Sequence, residues 1–100
     1  MFIVLTTTYP PSKSIEMAKT FIKSTETPFT YVRRVHQLIT TYQELGIKSL
    51  GIFEVDDDKV PDGMKELTKR VAELFYGIEG FKYQIEPMLT AEEAIPLLPL

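Results

Sequence analysis

The chain contains no cysteine, which excludes disulfides, thiolate catalysis and zinc or iron–sulfur sites built on Cys. It contains one histidine, His36, so no His-x-His or His-x-x-x-His pair exists to build a metal site. No apolar run approaches the roughly 20 residues that span a bilayer. The opening stretch, MFIVLTTTYPP, lacks the basic region and the apolar length of a signal peptide. An excess of positive charge is missing too. Lys and Arg number 11 against 14 Asp and Glu, a net charge of −3, whereas phosphate-backbone binding calls for a positive field. Together these absences point away from a metal, a cofactor, nucleic acid and a membrane, and leave the cytoplasm as the default location.

What is present suits one domain over residues 1–100. Hydrophobic residues make up 44% and charged residues 25%, the balance of an ordinary globular domain. A chain this short buries a modest fraction of its surface and often completes its core by oligomerising.

Phe2 to Thr8 is apolar and β-branched, a buried-strand pattern that Tyr9-Pro10-Pro11 ends. Ser12 or Ser14 then caps a helix with Ile15, Ala18, Phe21 and Ile22 at helical spacing. Phe29 to Leu45 fits two structures. Val32, Val35, Leu38, Ile39, Tyr42 and Leu45 are spaced as on a helix, with Thr27-Pro28 to start it and Gly46 to stop it. The residue types favour a strand instead, because Thr30, Val32, Val35, Ile39, Thr40 and Thr41 are β-branched and Phe29, Tyr31 and Tyr42 aromatic. Ile47 to Val55 is a strand. With strand on both sides, Gln43-Glu44-Leu45-Gly46 becomes a hairpin turn with glycine at the positive-φ position.

Asp56-Asp57-Asp58 lacks the remaining ligands of a calcium loop and reads as a solvated turn. It leads through Val60-Pro61-Asp62-Gly63 to a helix striped by Met64, Leu67, Val71, Leu74 and Phe75. Phe81 to Leu89 alternates as a strand, with Phe81, Tyr83 and Ile85 on one face. Pro87 suggests an edge position. Thr90-Ala91-Glu92-Glu93 is a capping-box signature for a short C-terminal helix.

The resulting fold is α+β: a ferredoxin-like β-α-β-β-α-β sandwich, with a four-stranded antiparallel sheet, two helices on one face and a short C-terminal helix. If Tyr42 pairs with Ile47, one face of the central hairpin carries Arg34, His36, Leu38, Thr40, Tyr42, Ile47, Ser49, Gly51 and Phe53. That mixed surface suits a dimer interface around a wet cavity, and the tail Ile95-Pro96-Leu97-Leu98-Pro99-Leu100 also asks for a partner.

Three stretches carry a resemblance: Tyr9-Pro10-Pro11, Gly51-Ile52-Phe53-Glu54-Val55, and Gly77-Ile78-Glu79-Gly80-Phe81-Lys82-Tyr83 followed by Leu89-Thr90-Ala91-Glu92-Glu93-Ala94. Over nearly its whole length the chain resembles small uncharacterised prokaryotic proteins of the dimeric α/β-barrel superfamily. The resemblance implies two sheets packed face to face in a homodimer. It does not select among monooxygenases, haem-handling enzymes and ligand sensors.

Other ferredoxin-like functions lack their residues. Ile47 to Val55 offers Phe53 alone where an RNA-recognition strand needs clustered aromatics, and the Cys pair of a metal chaperone is absent. Thr6 to Ser14 has neither arginine nor glycine for an acylphosphatase loop, and no P-loop or dinucleotide motif occurs.

Arg34, His36 and Tyr42 are the candidate ligand-binding residues; no residue is singled out as catalytic. Arg33 and Arg34 point to opposite faces of a strand, and Arg34 either holds an anionic ligand or pairs with Glu54 or Glu86. His36 is a candidate general base or haem ligand, or else a histidine hydrogen-bonded at a dimer interface or simply exposed. Three functions follow: a homodimer that binds an apolar or amphipathic small molecule between its sheets, a cofactor-independent monooxygenase- or isomerase-like enzyme using His36, and a ligand-free dimerisation module.

Overall fold

The structure, a computed structural model, describes residues 1–42 and 46–99, with backbone alone at Tyr42. Its main elements are β1 (Phe2–Tyr9), α1 (Ser14–Ser24), β2 (Val32–Tyr42), β3 (Gly46–Val55), α2 (Val60–Leu74), β4 (Lys82–Met88) and α3 (Ala91–Ala94). Within the disputed stretch, Val32–Tyr42 is a strand, so β-branched and aromatic content prevails over helical spacing. Gly46 has φ 88°, as the hairpin requires. The turn residues Gln43, Glu44 and Leu45 lie outside the described residues.

The strands form one antiparallel sheet in the order β2-β3-β1-β4. β1 and β2 therefore flank β3, and β3 and β4 flank β1. Each helical crossover spans a strand contributed by the other. Odd-numbered residues of β1 and β3 face the helices. Ile3, Val32, Phe53, Val55 and Leu67 make one core cluster, and Tyr9, Met17 and Ile78 make a second. Both helices pack on this one side. The molecule measures 48 × 31 × 18 Å with a radius of gyration of 14.8 Å, above the ~13 Å of a compact 100-residue domain. It is thin because one sheet face carries no second layer.

The hairpin register differs from the expectation in two ways. Tyr42 pairs with Gly46 and Thr41 with Ile47, one residue away from the expected pairing. Between Arg34 and His36 the register shifts again, at a β-bulge on Val35. A one-residue slip moves every side chain to the opposite face, and a bulge does the same beyond it. For Arg34 the two changes of face cancel, although its partner moves from Val55 to Phe53. They do not cancel for His36, Leu38 and Thr40, which are opposite Ile52, Leu50 and Lys48. The expected face is thus split in two: Arg34 looks toward the helices and His36 away from them.

α1 also departs from its expected face. Ile15 and Ile22 are 72% and 63% exposed, while Met17 and Ser24 are buried. Ser14 begins the helix rather than capping it, its hydroxyl donating to the Pro11 carbonyl at 2.7 Å. α2 behaves as its stripe requires, burying Gly63, Leu67 and Val71. Two of its polar residues fix the α1–β2 connection. Glu66 accepts from the backbone N–H groups of Thr30 and Tyr31 at 2.9–3.0 Å. Arg70 donates to the carbonyls of Ser24 and Thr27 at 2.7 and 2.9 Å.

The capping box of α3 is formed. Glu93 N–H donates to the Thr90 hydroxyl at 3.1 Å, and Thr90 N–H donates to the Glu93 carboxylate at 3.0 Å. The bond from the Thr90 backbone holds the Glu93 carboxyl below its usual value, against an opposing desolvation. The unfolded chain then binds more protons than the folded one, so stability rises with pH through this range. The contribution is present above the ordinary carboxylate pKa and is lost as pH falls through the lowered one. Urea midpoints measured from pH 7 downward should therefore show wild type above Glu93→Gln, with the gap closing in acid. A gap unchanged at the acid end would exclude the carboxylate as its source.

Candidate binding site

A cavity of about 300 Å³ lies between the sheet and the two helices, separating the two core clusters. Two small residues on the helix side of the sheet, Thr7 and Ser49, leave room along its floor. β3 presents Ile47, Ser49, Gly51 and Phe53 to that side, and β1 presents Thr7 beside Ser49. The Thr7 and Ser49 hydroxyls are buried and bond to each other at 2.5 Å, which satisfies two polar groups that would otherwise cost free energy in an apolar setting. Above them α1 contributes Ala18, too short to fill the space. The remaining walls are largely apolar, with Leu5, Met17, Leu67 and Phe75 among them. Ile22 of α1 and Ile39 of β2, 63% and 66% exposed, also line it. They mark its opening, between α1 and the edge strand β2.

Arg34 is the charged group that sequence and cavity share. Its guanidinium carbon sits 4.9 Å from the ring centre of Phe21 and 5.0 Å from that of Phe53, within cation–π range. Burial, reinforced by the nearby Arg70 charge, pulls its pKa below the usual guanidinium value. Its Nε is buried with no hydrogen-bond partner among the described residues. The expected pairing with Glu54 belongs instead to Arg33, whose Nη2 meets the Glu54 carboxylate at 2.8 Å on the other face. Burial without an acid is costly for a guanidinium, and buried charges are normally paired.

Arg70 also lines the cavity, held by its two carbonyl bonds and by the Phe29 ring 4.1 Å away. Gln37 adds an uncharged amide from beyond the bulge. No acidic side chain among the described residues lines the space. The site therefore combines apolar walls, two cations and no counter-charge.

The other two candidates lie elsewhere. His36 is exposed on the open sheet face, opposite Ile52, and does not line the cavity. Tyr42 is at the hairpin end of β2 with its side chain outside the described residues. The structure does not bring Arg34 and His36 together. What the sequence reading missed was the cavity floor. Its signal was Ser49 inside an otherwise bulky strand, together with Thr7 in β1 and Ala18 in α1. Compared with family models, curated proteins and solved structures, the chain has no significant match to any.

Proposed function

We propose that this chain is a binding domain for a small apolar or amphipathic molecule, held on the helix side of the sheet. The observation that carries this reading is the 300 Å³ cavity floored by Thr7 and Ser49. Packed interiors leave few voids larger than a water molecule, and this one is at the small end of the ~300–1,000 Å³ range of ligand pockets. At roughly 30 Å³ per liquid water, it has room for an occupant of about ten non-hydrogen atoms.

Octan-1-ol, matched to that size, serves as a probe. It should raise the melting temperature in a concentration-dependent way, as any ligand selective for the folded state does. Ala18→Phe, at an exposed helix position, should weaken the shift at least tenfold while leaving the unliganded melting temperature within a few degrees. A wild-type chain that octanol leaves unmoved, or a variant that binds it as well as wild type, would sink the proposal.

A second reading concerns the open sheet face. Phe2, Val4, Leu50 and Ile52 form its centre, flanked by Leu38 and Met88, which are 51% and 40% exposed. We infer that the occupant is a second copy of the chain. At about 4.8 Å per strand and 3.4 Å per residue, four strands of seven residues offer on the order of 450 Å² per copy. A standard interface needs roughly 800 Å² per partner. The exposed tail residues Ile95, Leu97 and Leu98 supply the further apolar area. Sedimentation should give twice 11.5 kDa, and Ile52→Glu should give the monomer. A wild-type monomer at micromolar concentration is the contrary result. Such a face-to-face pair, the interleaved crossovers and the absence of cysteine agree with a ferredoxin-like, dimeric α/β-barrel protein of the cytoplasm.

A further inference from the structure

We propose that the occupant of the helix-side cavity is an apolar monocarboxylate whose anionic group is held by Arg34. This rests on the binding role proposed above and adds the chemical class of the ligand.

Three observations converge. The first is the unmet hydrogen-bonding capacity of Arg34. Its Nε is buried and donates to nothing among the described residues, and the rings of Phe21 and Phe53 lie against its guanidinium in place of any acid. Aromatic rings soften the desolvation of a cation but accept none of its in-plane N–H groups. A guanidinium meets a carboxylate through two parallel N–H bonds, and Nε–H is one arm of such a fork.

The second is the charge balance of the lining. Arg34 and Arg70 face a space with no acid among the described residues, so a neutral occupant leaves both cations uncompensated. A monoanion relieves that. A second negative charge meets fewer free donors, because Arg70 Nη1 is held by two carbonyls and one of the Thr7 and Ser49 hydroxyl protons by the other hydroxyl. The third is the apolar character of the rest of the cavity. Met17, Leu67 and Phe75 suit a hydrocarbon tail, and Ile22 and Ile39 at the opening admit one without a charged barrier.

Isothermal titration at pH 7 with three probes of equal chain length, octanoate, octan-1-ol and octyl phosphate, below their micelle-forming concentrations, tests this directly. Octanoate should bind at least tenfold more tightly than octanol and more tightly than octyl phosphate. Arg34→Gln should reduce the octanoate-to-octanol ratio to about one while octanol affinity changes less than threefold. Arg34→Lys, which keeps the charge and loses the fork, should retain an intermediate ratio. If Arg34→Gln fails to fold, the wild-type ratio and Arg34→Lys decide. Equal binding of octanoate and octanol, or an unchanged ratio in either variant, overturns the carboxylate assignment and leaves the cavity reading standing. Tighter binding of octyl phosphate overturns it in favour of a dianion. Binding of none of the three overturns both.

Discussion

Phe53→Ala should destabilise the chain by about 3–5 kcal/mol, the range for deleting a buried aromatic side chain. Phe53 is fully buried at the centre of the larger core cluster. Its ring packs edge-on against Phe29 with centroids 5.5 Å apart, a geometry worth about 0.5–1.5 kcal/mol beyond area burial, and it lies 5.0 Å from the Arg34 guanidinium. The void left behind would open onto the existing cavity, which the same ring lines. Neighbours that already leave that space open offer little material for collapse, so the cost belongs in the upper half of the range. Domains of this size hold about 5–15 kcal/mol in total, and the variant should be marginal at room temperature. Urea unfolding of wild type and variant measures the difference. A value below about 1 kcal/mol would mean that Phe53 is not at the heart of the core. Apolar compounds too large for the wild-type cavity should partly restore the variant, since an enlarged dry cavity takes up such molecules.

The parts of the fold that were legible in sequence are those where one local signal dominates. α2 has a single apolar stripe and buries it. β4 alternates and keeps Phe81, Tyr83 and Ile85 on the helix side. β2 was decided by its β-branched residues, which lose side-chain freedom in a helix. The bulge at Val35 was not legible. Bulges of the kind marked by a glycine announce themselves, but Val35 is one more β-branched residue in a β-branched run. Its effect is felt only through pairing with β3, which a single strand does not encode. That one residue separates Arg34 from His36, so two side chains expected on one face lie on opposite faces of the sheet. α1 failed differently. At 3.6 residues per turn, apolar residues at 15, 17, 18, 21 and 22 fall in an arc of about 160°, and the buried side is centred on one edge of it, at Met17 and Ser24, not on its middle. The sheet and α2 selected Met17 and left Ile15 and Ile22 outside.

Arg34 and the cavity share a cause. The chain places small residues, Thr7 and Ser49, on the sheet where a denser core would have leucine or valine, and Ala18 on the helix above them. It then places a cation beside the space with no acid to meet it. A well-packed alternative with an apolar residue at 34 would avoid both penalties. Unfilled volume and unpaired charge at one location are the two features on which the proposed site rests, whereas His36, conspicuous as the sole histidine, is on a surface with no comparable cost to explain.

Gly46→Ala carries the second large expectation, a loss of about 2–4 kcal/mol, through backbone geometry instead of lost contacts. Gly46 begins β3 with φ 88°, a region where an L-residue with a Cβ is strained by about 1–3 kcal/mol. A Cβ built there would sit 2.5 Å from the carbonyl oxygen of Tyr9 and 3.3 Å from its carbonyl carbon. Those atoms are backbone of the adjacent central strand β1, so relief requires moving the sheet. The strain also acts on register. Gly46 pairs with Tyr42 and closes the hairpin, and a chain that escapes the strain by slipping one residue would exchange the two faces of β2. Gly77→Ala is the matched control, because no atom lies within 4 Å of its added Cβ and its φ is not positive. It should be neutral, or stabilising by up to about 1 kcal/mol through reduced freedom of the unfolded chain. Thermal and urea unfolding of the two variants should differ by about 2–5 kcal/mol. If they match, the positive φ at Gly46 and its close approach to Tyr9 do not exist in solution, and the hairpin is built on a different turn.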